Sequence, residues 1–76
     1  MMRELESVIL TTDLPTFGLV QGDMGTIVLV HKDEQGYEVE FATLDGEVIA
    51  VVSLLPNQVR PIGHGEIAHV RTVANV

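Results

Sequence analysis

Several groups of side chains in this 76-residue chain have types and spacings that could support chemistry. His64-Gly65-Glu66-Ile67-Ala68-His69 invites a zinc reading. The metalloprotease motif needs two histidines four apart on a helix, with Glu directly after the first, so that both imidazoles reach one ion. Here they are five apart, Glu66 is two after His64, and Gly65 interrupts any helix. Two solvated histidines are the better reading, ahead of a weak nickel or zinc site from His64, Glu66 and His69. Glu38 and Glu40 could act as paired carboxylates only if one were desolvated so that their pKa values separated. On the solvent side of a strand both stay ionised, and they read as a solvated face or an acidic docking surface. Asp33-Glu34 lacks the alternating ligands of a calcium loop and reads as a polar turn. Gly22-Asp23-Met24-Gly25 is followed by β-branched residues instead of a helix N-terminus with a lysine, so it reads as turn geometry, not a phosphate cradle. Ser7 and Ser53 fall inside strands with no base expected nearby, and the absence of cysteine removes any thiolate. No catalytic residue, metal or cofactor is expected, and the chain does not read as an enzyme.

The elements that carry these residues are strands. Leu5 to Thr11 reads as the first, followed by an ordered loop at Leu14-Pro15-Thr16-Phe17-Gly18. Thr26 to His31 forms the second, and Lys32 to Gly36 a polar loop of hairpin length. Gly36 to Leu44 and Glu47 to Leu55 flank Asp45-Gly46, a strong hairpin signal. A two-residue turn there sets Leu44 opposite Glu47, Phe41 opposite Ala50, Val39 opposite Val52 and Tyr37 opposite Leu54. The last three pairs share one face, which must be the core. The other face carries Glu38, Glu40 and Ala42 opposite Ser53, Val51 and Ile49. The second strand is apolar on both sides, with Ile27 and Leu29 on one face and Val28 and Val30 on the other. Pro56-Asn57-Gln58 reads as a 3₁₀ turn before a short edge strand, Val59 to Ile62, where Pro61 is tolerated because it need not donate to a ladder. The fold class is therefore all-β, a small five-stranded SH3-like barrel over residues 1–62 with a C-terminal extension over 63–76. In that extension Ile67, Val70, Val73 and Val76 recur every three residues, yet Val and Thr are poor helix formers. A short helix, an added strand and a frayed end all remain open.

The apolar fraction of 46% suffices for one core, with aromatics at only 4%. The barrel families that bind methyl-lysine or proline-rich peptides use clustered aromatics, and Phe17, Tyr37 and Phe41 do not provide a cage. Four Lys/Arg against eleven Asp/Glu give a net charge of −7. Phosphate binding needs several clustered cations, so nucleic acid and anionic membranes are disfavoured and a basic protein partner, or none, is favoured. No apolar run reaches membrane-spanning length and no leader is evident at Met1-Met2-Arg3, so the expected location is the cytoplasm. What remains is an apolar strip. Ile49, Val51 and Leu55 project from the face opposite the core, with Val28 or Val30 beside them and Glu38 and Glu40 adjacent. A contiguous patch of that kind marks a homo-oligomer interface, a site for another protein, or the seat of the tail.

Leu14-Pro15 with Gly18-Leu19, Gly22-Asp23-Met24-Gly25-Thr26-Ile27-Val28, Tyr37-Glu38-Val39-Glu40-Phe41, Leu44-Asp45-Gly46-Glu47 and Gln58-Val59-Arg60-Pro61 together resemble a small bacterial domain-of-unknown-function family over residues 3–62. The resemblance implies an SH3-like fold and an accessory protein, in some members arranged like an antitoxin beside its toxin. It supplies no catalytic residues and does not extend into the tail. The expected function is a non-catalytic protein-interaction module, accessory or antitoxin-like. The alternative is a stand-alone homo-oligomer with a structural or small-ligand role, and a nucleic-acid- or ribosome-associated barrel ranks below both.

Overall fold

Strict alternation makes Tyr37–Ala42 the anchor of the sheet, because a period of two puts Tyr37, Val39 and Phe41 on one face and the glutamates on the other. The computed structural model of the chain describes residues 2–74, so Val76, the last member of the tail's three-residue pattern, lies outside the described residues. Five strands form one antiparallel sheet: β1 (Ser7–Leu10), β2 (Met24–Val30), β3 (Tyr37–Ala42), β4 (Val48–Leu54) and β5 (Val59–Pro61). Their order is β4-β3-β2-β1-β5, as expected of a small SH3-like barrel. Single 3₁₀ turns at Pro15–Phe17, Lys32–Glu34 and Pro56–Gln58 connect them. The core gathers Val8 and Leu10 of β1, Leu19, Ile27, Val39, Phe41, Val52, Leu54 and Val59 with Tyr37 at its edge, and no polar side chain is buried among the described residues.

The outer pairs of the β3–β4 hairpin have the expected register: Tyr37 faces Leu54, Val39 faces Val52 and Phe41 faces Ala50. Nearer the turn the register differs. Thr43 and Glu47 close the loop through Thr43 N–H to the Glu47 carbonyl (2.8 Å), and Gly46 adopts φ +97°. The loop therefore holds three residues, not two, and Leu44 points to solvent at 92% exposure. The extra residue is absorbed by a bulge in β4, where Phe41 pairs with Ala50 but Ala42 pairs with Val48. Ile49 is thereby turned toward the core and packs against it beside Ala50, so the expectation that Ile49 lies on the outer face is corrected.

A second bulge corrects β2. Ile27 pairs with Val39 while Leu29 pairs with Glu38, leaving Val28 as the extra residue. The phase of the strand reverses there: Ile27 and Val30 face the core, and Val28 and Leu29 face outward. Val30 is therefore not a surface residue. The reversal explains how a strand apolar at every position from Ile27 to Val30 serves a one-sided core.

Gly25, taken above as part of a turn, lies inside β2 opposite Val8. A Cβ on it would stand 2.6 Å from Val39 Cγ1, 2.8 Å from Phe41 Cε1 and 3.0 Å from the Glu40 carbonyl oxygen. The turn itself is made by Gly22, at φ +96° with open space around it. Beyond Pro61 the chain forms neither helix nor strand over 63–74. Gly65 at φ +78° breaks any helix there, the segment adds no strand to its own sheet, and side-chain bonds at Glu66 and Arg71 hold it so that it is not a frayed end.

Gly25→Ala should destabilise the domain by about 1–3 kcal/mol, since the methyl group overpacks a β-branched side chain, an aromatic ring and a carbonyl at once. In a chain of this size that lowers Tm by roughly 4–8 °C per kcal/mol in a calorimetric scan. An unchanged Tm would mean that β2 and β3 can separate without cost.

Candidate interaction surface

The outer face of the sheet is built in rows across β2, β3 and β4. Thr26, Glu40 and Val51 align in one row, and Leu29, Glu38 and Ser53 in the next. Val28 and Leu29 of β2 are thus separated from Val51 of β4 by the carboxylates of β3. The surface is striped, apolar then acidic then apolar, where the sequence suggested one contiguous apolar patch. Val51 is 52% exposed and Leu55, just beyond β4, 59% exposed; Val48 of β4 is exposed as well. Of the residues proposed from sequence, Val28, Val51, Leu55, Glu38 and Glu40 meet this surface, while Val30 and Ile49 pack inward. Val48 and Leu29 were missed because each becomes outward-facing only through a bulge.

The charges of this region are one-sided. From Tyr37 through Val59 the chain contains Glu38, Glu40, Asp45 and Glu47 and no Lys, Arg or His. A histidine just beyond β2, His31, reaches this face. His31 Nε2 lies 2.5 Å from Glu38 Oε2, and the Ser53 hydroxyl donates to the same oxygen. These bonds, Ser53's first and His31's next, hold the Glu38 carboxyl below its ordinary value. The cluster contains Ser, His and a carboxylate, so Ser53 does have a polar partner that the sequence did not suggest. The order is wrong for nucleophilic catalysis: the triad needs histidine between serine and acid, whereas here an ionised, weakly basic carboxylate sits between them. The arrangement fixes Glu38 in place and presents its charge; it does not activate Ser53.

The tail crosses a different part of the molecule. Arg60 of β5 makes two parallel bonds to Glu66, 2.8 Å from Nη1 to Oε1 and 2.6 Å from Nη2 to Oε2, and the Gly63 N–H donates to the same carboxylate. Farther along, Arg71 grips Asp23 at 2.8 and 2.5 Å and donates to the Gly18 carbonyl at 3.1 Å. Burial pushes the Asp23 carboxyl up, but the bonds from Arg71 and the Val20 N–H, with the Arg71 charge, leave it below its ordinary value. Between these two clasps the segment arches over a groove of about 1050 Å³, bordered by Ile9, Met24, Phe41, Leu44 and Ile62. Ile67 and Val70 are 93% and 73% exposed, so the tail does not seat on the Val51 strip. With Glu66 committed to Arg60, the His64–Glu66–His69 set is not assembled, and no group of three metal-ligating side chains occurs among the described residues. No helix among the described residues is long and apolar enough to cross a membrane.

The model of one protein family, described as "Domain of unknown function (DUF4926)", matches residues 4–61. That span holds all five strands and excludes the tail. No curated protein and no solved structure matches the chain.

The Glu66 clasp should show a defined acid dependence. The Arg60 hydrogen bonds, then the Gly63 N–H, lower the Glu66 pKa from 4.5 to about 2. A depressed carboxylate pKa means that the clasp contributes fully above pH 4.5 and is lost progressively as pH falls toward about 2. An NMR titration should place the Glu66 carboxyl midpoint well below 4, and Glu66→Gln should remove the associated shifts of the Gly63 amide. A midpoint near 4.5 would show that the clasp does not persist in solution.

Proposed function

The chain belongs to the DUF4926 domain family, and with that as premise we propose that it is a non-catalytic protein-interaction module whose docking surface is the outer face and free edge of the β3–β4 hairpin. The observation that carries this reading is the hairpin's composition. It has four carboxylates and no cation between Tyr37 and Val59, beside the exposed side chains of Val48, Val51 and Leu55. Apolar contacts supply affinity, while a field of one sign selects a partner of the other sign and speeds its encounter. The partner is accordingly a protein segment with basic and apolar residues. Polyphosphates and anionic membranes are repelled by the same face. The resemblance noted in the sequence supports an accessory or antitoxin-like setting in a bacterial cytoplasm, and Glu38, pinned by His31 and Ser53, supports a surface pre-organised for docking.

Val51→Lys replaces the central apolar side chain with a charge that repels a basic partner and is compatible with the opposing Glu40. The variant should keep the wild-type circular dichroism and melt within about 1 kcal/mol of it. In affinity capture from the native host, a stoichiometric partner held by the wild type should be lost by this variant. Equal capture by both chains would overturn the assignment of the surface.

A further inference from the structure

We propose that the free edge of β4 accepts Ile67–Val73 of a second copy of this chain, two copies exchanging these segments to form a symmetric dimer. The proposal rests on the reading of the β3–β4 hairpin as a docking surface and names the occupant.

The edge is open. β4 lies at the end of the sheet, so alternate N–H and C=O groups along it point away from β3. Val48–Leu54 reads Val-Ile-Ala-Val-Val-Ser-Leu, with no proline and no charge, two of the devices that keep an edge from pairing; another, a bulge, falls near its start at Ile49 and leaves Ala50 to Leu54 regular. Among the described residues, no backbone hydrogen bond from a loop or from the tail reaches it.

The tail has the complementary deficiency. Over 63–74 the only bond from backbone to backbone among the described residues is the long one from Glu66 N–H to the Gly63 carbonyl, 3.4 Å. Ile67-Ala68-His69-Val70-Arg71-Thr72-Val73 is rich in β-branched residues and carries no acid. It is a strand sequence without a ladder, with its largest apolar side chain almost wholly in water.

Charge and spacing match the two. In an added strand, Ile67, His69, Arg71 and Val73 share one face. On that face of β4 and its neighbour the rows run Val48, then Val51 with Glu40, then Ser53 with Glu38, then Leu55. A register that places His69 and Arg71 in the two glutamate rows sets Ile67 and Val73 in the rows of Val48 and Leu55, in either strand direction. Two strand spacings, about 10 Å, separate the added strand from β3, a gap that arginine and glutamate side chains bridge between them. Glu38 offers Oε1, which accepts no bond among the described residues. Each copy carries −7, but charges farther apart than about 8 Å are screened at physiological ionic strength, so the contacting pairs decide. Exchange requires Arg71 to leave both oxygens of Asp23 and the Gly18 carbonyl, a loss that its new bonds to glutamate in the partner copy must offset. Asp23 is then a latch that limits self-association.

Sedimentation equilibrium on full-length chains tests this, with circular dichroism confirming the fold of each variant. The wild type should dimerise reversibly below about 1 mM. Asp23→Asn and Arg71→Glu both break the latch, yet they should act in opposite directions. Asp23→Asn should tighten the dimer by about tenfold, and Arg71→Glu should weaken it by about tenfold or more. Val51→Lys should be monomeric. If Asp23→Asn and Arg71→Glu shift the equilibrium the same way, the exchange is overturned. It is equally overturned if wild type and Asp23→Asn both stay monomeric, including the case where tail amides gain exchange protection by docking within one chain. In those cases a host partner still lost by Val51→Lys leaves the docking surface standing; a Val51→Lys variant that changes neither dimerisation nor capture removes both.

Discussion

The closeness of β2 and β3 at Gly25 is the constraint on which the rest of the domain depends. The Val39 and Phe41 side chains lie across the β2 backbone at a distance no Cβ would allow. That approach seals the core between β1 and the β3–β4 hairpin in a chain with only three aromatic residues. A small domain buries a smaller share of its surface than a large one, so contacts made at the van der Waals limit count for more. Because Val39 and Phe41 are committed inward, Glu38 and Glu40 are committed outward, and the acidic stripe on the surface is the other side of the same packing decision.

The two bulges give the surface its character. Without the one at Val28, Leu29 would face the core and Val30 the solvent; without the one at Ile49, Ile49 would stand beside Val51 and Val48 would turn inward. Each bulge therefore redirects apolar exposure, exchanging one outward apolar side chain for another, instead of leaving it to strand alternation. What remains is two apolar lanes divided by glutamates, a pattern that discriminates between partners by charge as well as by area. The clasps of the tail meet the hairpin at its turn, where Asp45 and Glu47 line the same groove as Arg60 and Arg71, yet both arginines pair with other carboxylates, Glu66 and Asp23.

Much of this architecture was legible in the residues. Tyr37-Glu38-Val39-Glu40-Phe41 declares its faces by simple alternation, and the 3₁₀ turn at Pro56–Gln58 and the edge position of Pro61 follow from proline chemistry. The bulges were not legible. Ile27 to Val30 and Val48 to Val52 are apolar at nearly every position, and alternation carries no phase information where every residue is apolar. Asp45-Gly46 signalled the hairpin but not its length, because the same dipeptide suits a two-residue loop and a three-residue loop with glycine last. Gly25 looked like its neighbour Gly22, and only the positions of Val39 and Phe41 separate the packing glycine from the turning one. Glu38's bonds to His31 and Ser53 join residues seven and fifteen positions away, which no local pattern foreshadows.

The sheet order also fixes a sequence of events during synthesis. β2, β3 and β4 are joined by short connections and can pair as soon as they are made, whereas β1 must wait for β5, with Val8 pairing to Pro61 and Leu10 to Val59. Contacts of such separation form late because the intervening chain must first be ordered. The first strand to leave the ribosome thus keeps one side unpaired until nearly the whole domain has emerged. In that interval the sheet is a meander of β1 to β4, open along β1 as well as along β4, and β5 closes the first of these edges at the last step.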